Sequence, residues 1–190
     1  MKVLRADQYA TVPWRNGGGM TREIAAYRDP NLDDDFLWRL SIAIVAAPGP
    51  FSRFDGVDRT IALMAGQGML LRATEGSFSV TAKTAPFSFD GEAAISCELI
   101  DGPTVDLNAM TRRGFFRHTL RREEFIGWIT VNGAADHTMI VSNGILEFSW
   151  CGRGTLGRHD AVAEIQRGEA CLFYSERPTE IFIVEFMADR

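Results

Sequence analysis

Residues Pro13 to Ile24 read Pro-Trp-Arg-Asn-Gly-Gly-Gly-Met-Thr-Arg-Glu-Ile and set three consecutive glycines between an indole and several polar groups. Glycine permits positive φ and close backbone approach, yet each one costs roughly 0.5 to 1 kcal/mol of ordering entropy relative to alanine. Three in a row therefore need a reason. One is a backbone N–H surface at Gly17, Gly18 and Gly19 that holds a polar ligand, walled by Trp14 and flanked by Asn16, Thr21 and Glu23. The other is a bulged crossing between sheets. Thr21 and Glu23 stand two residues apart on the strand leaving the glycines, so they share a face and suit an amide or imidazole N–H.

Further along, Arg39 and Ser41 occupy the polar side of the run Trp38 to Val45, whose other side is Trp38, Leu40, Ile42 and Ile44. They face either solvent or the wet interior of a barrel. No nucleophile sits in a recognisable elbow beside a histidine, which gives no reason to expect covalent catalysis and leaves no catalytic residue to assign. Glu23 with Asp58 or Asp101 is the pairing that could perform general acid/base chemistry without a metal. No Gly-Lys-Ser/Thr follows the glycines, and a strand rather than a helix does, so nucleotide binding is not expected.

The elements that must position these groups are short strands. Apolar and polar residues alternate at Trp38–Val45, and comparable runs recur to the end of the chain, punctuated by Gly, Pro, Asn and Asp. Among them are 59–65, 69–73, 105–110, 115–120, 125–131, 170–174 and 181–186. Helix is expected only as a turn near Ala6 to Ala10 and another near Leu32 to Phe36. The pattern predicts an all-β fold. A weak repeat at an offset of 77 sets Leu63-Met64-Ala65-Gly66 on Ile140-Val141-Ser142-Asn143, and Gly91-Glu92-Ala93 on Gly168-Glu169-Ala170. Two tandem units follow, residues 1–112 with the pocket and residues 113–190.

Composition narrows the partners. A net charge of −5 over 190 residues, without a basic cluster, argues against nucleic acid. No run approaches the roughly 18 apolar residues of a membrane span, and the N-terminus lacks a signal-peptide core, so no membrane and a cytoplasmic location are expected. Cys97, Cys151 and Cys171 are far apart in apolar segments and read as reduced core residues. Strand addition at an exposed sheet edge would permit a homodimer.

Taken together, the segments Pro13 to Ile24, Trp38 to Ala43, Gly49 to Arg59, Leu63 to Gly68 and Asp106 to Arg113 resemble the HutD/Ves family. The resemblance spans the first 60% or so of the chain in order. It implies a bicupin, two tandem cupin-type β-barrels with very little helix, and an association with bacterial histidine utilisation; it carries no established catalytic activity. Metal-binding cupins use a His-x-His pair, a glutamate and a later histidine. The cupin spacing sets Arg59 at the glutamate position and Ser52 and Phe54, or Arg53 and Asp55, at the histidine pair, while His118, His137 and His159 all fall in the second half. The resemblance therefore implies a metal-free pocket without a cofactor. A guanidinium in place of a carboxylate inverts the preferred charge of the ligand. Arg59 becomes the anchor for a small carboxylate such as urocanate or a formylglutamate, with Asp58 orienting its fork or taking a ligand amine. The competing reading of that pair is a surface ion pair of little value. Sensing or buffering of such a metabolite is the expected function; the alternative is a metal-independent isomerase or hydrolase on a small acidic metabolite.

Overall fold

The computed structural model describes residues 2–14, 17–30, 36–150 and 152–189. β1 (Lys2–Leu4) leads through one 3-10 turn at Ala6–Gln8 to β2 (Ala10–Pro13), β3 (Gly19–Arg28), β4 (Phe36–Val45), β5 (Gly49–Pro50) and β6 (Val57–Ala65). Then come β7 (Met69–Ala73), β8 (Gly76–Val80), β9 (Phe87–Asp90), β10 (Ser96–Leu99) and β11 (Thr104–Arg112). The remainder is β12 (Phe116–Asn132), β13 (His137–Ser142), β14 (Leu146–Ser149), β15 (Arg153–Leu156), β16 (Ala161–Ile165) and β17 (Ala170–Ala188). The protein is all-β. The expected turn at Ala6 is present, whereas Phe36 opens β4 instead of closing a helical turn, and residues 31–35 lie outside the described residues. No helix among the described residues is long and apolar enough to cross a membrane.

Two compact units result, one comprising Ala10–Arg117 and the other joining Met1–Tyr9 to His118–Arg190. In the first, a six-stranded sheet of order β2-β3-β4-β11-β6-β9 and a four-stranded sheet of order β5-β10-β7-β8 supply one core. Ile61 and Leu63 from the larger sheet pack with Met69, Leu71, Val80 and Cys97 from the smaller. In the second, β1-β16-β13-β17-β14-β15 form one sheet, and β12 also pairs with β17. Its own core includes Val131, Ile140, Leu156, Phe173 and Ile183. Cys97 and Cys171 are buried free thiols, and Cys151 lies outside the described residues.

The repeat is visible in the pairing. β6 pairs with β9 and β11, as β13 pairs with β16 and β17. The offset carries one set onto the other. At the glycine matches, the Gly91 amide donates to the Val57 carbonyl at 2.7 Å and the Gly168 amide to the Gly133 carbonyl at 2.8 Å.

Two strands are longer than the sequence pattern suggests. β12 runs through the charges Arg121 to Glu124, because a solvated charged stretch can stay hydrogen-bonded to its neighbour. Gly127 sits within it at φ 77°, a conformation glycine adopts without strain. β17 crosses Pro178, where Ser175 and Thr179 exchange a hydroxyl hydrogen bond at 2.8 Å.

Candidate functional site

The register of β4, β11 and β6 builds the site rank by rank. Because side chains two apart share a face, one face of these strands carries Arg39, Ser41 and Ala43, then Met110, Asn108 and Asp106, then Arg59, Ile61 and Leu63. Arg39 pairs with Met110 and Met110 with Arg59; Ser41 pairs with Asn108 and Asn108 with Ile61; Ala43 pairs with Asp106 and Asp106 with Leu63. Ile61 and Leu63 are core residues, so the same face that makes the core carries Arg59 inward. Two guanidiniums, a carboxyl group and an amide thus face the same interior. They line a cavity of about 480 Å³ together with Trp14, Thr21, Phe51, Ser52 and Phe54.

Arg59 is 6% exposed. Its Nη1 donates to the Ser52 carbonyl at 3.1 Å, and its Cζ lies 5.4 Å from the Phe51 ring, 5.4 Å from Phe54 and 4.9 Å from Phe89. Three aromatic faces hold the cation in place. Its Nε is buried without a hydrogen-bond partner, and among the described residues no carboxylate lies within ion-pair distance. Burial pulls its pKa down to about 10, against the opposing pull of Asp106, and Arg39 lowers it further. At neutral pH it remains a cation.

Arg39 is the second guanidinium, with Cζ 5.0 Å from the Phe36 ring and 5.6 Å from Phe54, and Nη2 3.3 Å from Met110 Sδ. Phe54 therefore contacts both cations. Burial also lowers the Arg39 pKa, Glu23 raises it and Arg28 lowers it. Asp106 responds in the opposite sense: burial pushes its carboxyl up to about 7, and the nearby Arg59 only partly restrains the rise.

The residues singled out from sequence separate into groups. Trp14, Thr21, Arg39, Ser52 and Arg59 line the cavity together. The Trp14 indole Nε1 donates to Thr21 Oγ1 at 2.8 Å, which leaves the Thr21 hydroxyl proton for another acceptor. Ser41 lies on the same face, 1% exposed, with an unpartnered Oγ. Glu23 instead accepts two hydrogen bonds from Arg28, at 2.8 and 3.0 Å. Asp58 points away from Arg59 and pairs with Arg113 at 2.9 Å, in a surface cluster with Asp90 and Glu92.

The glycines have local structural reasons. The Trp14 amide donates to the Gly19 carbonyl at 2.9 Å and the Gly17 amide to the Trp14 carbonyl at 3.0 Å, closing the hairpin between β2 and β3. The Gly18 carbonyl accepts from Ala46 at 2.9 Å and Ala47 at 3.1 Å. A Cβ at Gly19 would overlap the Ile44 carbonyl oxygen and lie 3.1 Å from the Trp14 ring, so glycine there lets the indole close over the strand. None of the three glycines lines the cavity. Asn16 lies outside the described residues.

Sequence reasoning did not single out Asp106 and Asn108 as site residues. The signal was present: polar residues at alternate positions of the otherwise apolar run Val105 to Met110, the same signal that identified Arg39 and Ser41. Phe51, Phe54 and Phe89 enclose Arg59 in the fold.

Comparison with known proteins places this geometry in a family. Residues 6–181 match HutD. An uncharacterised 21.2 kDa protein in the hutC 3′ region of Pseudomonas putida is 33% identical over 165 residues, 85% of each chain. Protein Ves of Escherichia fergusonii is 45% identical over 101 residues, 52% of this chain and 51% of Ves. HutD from Pseudomonas fluorescens SBW25 superposes with a TM-score of 0.83 at 29% identity, over 100% of this chain and 99% of that one. A cupin 2 conserved barrel domain protein from Leptotrichia buccalis shares the fold, with a TM-score of 0.57 at 8% identity over 98% of this chain and 100% of its own.

Proposed function

The chain belongs to the HutD family, and we propose that its Ala10–Arg117 unit binds a small carboxylate metabolite at Arg59 without turning it over. The observation that carries the reading is a guanidinium 6% exposed whose Nε has no partner. A buried cation is costly unless it is paired, and three aromatic rings with one backbone carbonyl do not neutralise it. A carboxylate supplies both the missing charge and a bidentate acceptor. Arg39, which also contacts the Phe54 ring, adds a second positive charge in the same cavity. About 480 Å³ accommodates a metabolite rather than a single ion.

The arrangement favours binding over catalysis by the acids that sequence suggested, because Glu23 is held by Arg28 and Asp58 by Arg113, and neither lines the cavity. The pathway follows by family: one relative lies in the hutC 3′ region, so urocanate and N-formylglutamate are the acids to try, for sensing or buffering. Formate, the condition of the Pseudomonas fluorescens HutD structure, is the minimal carboxylate probe.

Titration calorimetry with these three acids tests the reading. Binding of at least one is expected, weakened about tenfold or more in Arg59→Ala, since a charge-assisted hydrogen bond contributes roughly 1.5 to 3 kcal/mol. Arg59→Lys should recover only part, lacking the planar fork. Affinity unchanged by Arg59→Ala, or no acid bound by the wild type, would contradict the proposal, and steady product formation would replace it with an enzymatic one.

A further inference from the structure

The cavity also carries acceptors that a carboxylate ligand leaves idle. Asp106 and Asn108 stand two residues apart on β11, on the face that bears the site. They are 2% and 6% exposed and both line the cavity. Asp106 Oδ2 and Asn108 Oδ1 have no hydrogen-bond partner.

Their surroundings do not supply one. Asp106 stands between Ala43 and Leu63, whose side chains donate nothing. Asn108 stands between Ile61 and Ser41, and the Ser41 Oγ is itself unpartnered. A buried acceptor left unmade is unfavourable, and native proteins keep few of them. A plain carboxylate has no proton to give Asn108 Oδ1 or an ionised Asp106, and its charge opposes that of Asp106 whenever that carboxyl is ionised. An N–H satisfies both requirements.

We propose that Asp106 and Asn108 form a second subsite, for an N–H of the same molecule whose carboxylate Arg59 holds, so that the ligand class is a carboxylic acid bearing an amide or imidazole N–H. This rests on the carboxylate reading of Arg59. Thr21, whose oxygen is occupied by Trp14 Nε1 at 2.8 Å, keeps a hydroxyl proton for a ligand carbonyl. Recognition at these points separates such a molecule from acids that lack an N–H, because the wrong ligand leaves buried acceptors unpaired.

The test is an isosteric pair, N-acetylglycine and acetoxyacetate, in which one N–H is replaced by oxygen. By titration calorimetry the amide should bind wild-type protein about tenfold or more tighter than the ester. Asn108→Ala and Asp106→Ala should each bring that ratio to within about threefold of unity, while Arg59→Ala weakens both acids together. Removing Asp106 also removes a negative charge and strengthens both acids, so the ratio, and not either affinity, is the readout. Equal binding of the two acids by the wild type overturns the second subsite and leaves Arg59 anchoring intact. So does binding of neither in a protein that binds formate. Failure of every acid, formate included, overturns the carboxylate reading and the subsite with it. The wild-type ratio needs no variant, so a substitution that prevents folding does not shelter the proposal.

Discussion

Replacing Asp106 by asparagine removes a charge that the fold must bury. The carboxyl is 2% exposed, its Oδ2 has no hydrogen-bond partner, and burial raises its pKa from an ordinary 3.8 to about 7. The folded-state value lies above the unfolded one, so between about pH 4 and about pH 7 the native protein holds more protons than the unfolded chain. Stability therefore falls as pH rises through that window, and the full cost is present above it. The gap from 3.8 to about 7, at about 1.4 kcal/mol per pH unit, comes to roughly 4 kcal/mol. Asparagine has nearly the same volume and cannot ionise, so Asp106→Asn should match the wild type near pH 4 and exceed it by an amount on the order of 4 kcal/mol near pH 8.5. Arg59 is the nearby charge that restrains the rise, and its effect is already included in the raised value. Cys97, pushed up to about 11, does not titrate in this range. His118, pushed down to about 4 by burial, makes its own contribution to the pH profile, but both proteins share it and it cancels in the difference. Urea denaturation at the two pH values, with equal m-values, reads that difference. An advantage that is the same at both, or a variant less stable at high pH, would refute the reasoning.

Other expectations follow from the same contacts. Gly19→Ala should cost about 2 kcal/mol or more because its Cβ meets the Ile44 carbonyl and the Trp14 ring. Gly17→Ala, with nothing within 4 Å but φ at +70°, should cost only about 1 kcal/mol; denaturation midpoints compare the two. Glu23→Gln should lower stability by no more than about 1 kcal/mol and leave carboxylate affinity within about twofold, read by calorimetry. Trp14 lines the cavity and hydrogen-bonds Thr21, so a bound acid should change tryptophan emission, and Trp14→Phe should abolish most of that change.

Much of the fold was legible because strand patterning is local. Trp38 to Val45 and Met69 to Ala73 alternate or cluster as strands must, and both are strands. The repeat at an offset of 77 foreshadowed the shared pairing of β6 with β9 and β11 and of β13 with β16 and β17, since strand ends and tight turns restrict residue choice, but it gave no sign that residues 1–9 join the second compact unit. The length of β12 and β17 was not legible. Charges at Arg121 to Glu124 and a proline at Pro178 look like breaks, yet hydrogen bonds to neighbouring strands carry the backbone past them. Nor does anything in Lys2 to Leu4 announce that β1 pairs with Ala161 to Ala163, a partner from the far end of the chain.

The sequence by itself determined an all-β chain and its family, because alternation and motif spacing are properties of neighbouring residues, and through the cupin resemblance it named Arg59 as a candidate anchor. Only the tertiary structure decided which polar groups share a cavity. Strand register set Arg39, Met110 and Arg59 in one rank and brought Asp106 and Asn108 to the same face, while Glu23 and Asp58 found arginine partners elsewhere. The glycine run changed its meaning for the same reason: close packing against Ile44, which depends on the neighbouring strand, requires glycine at position 19. Pairing between strands distant in sequence is fixed by the packing of the whole sheet, and the charge and hydrogen-bonding character of a site emerges only at that level.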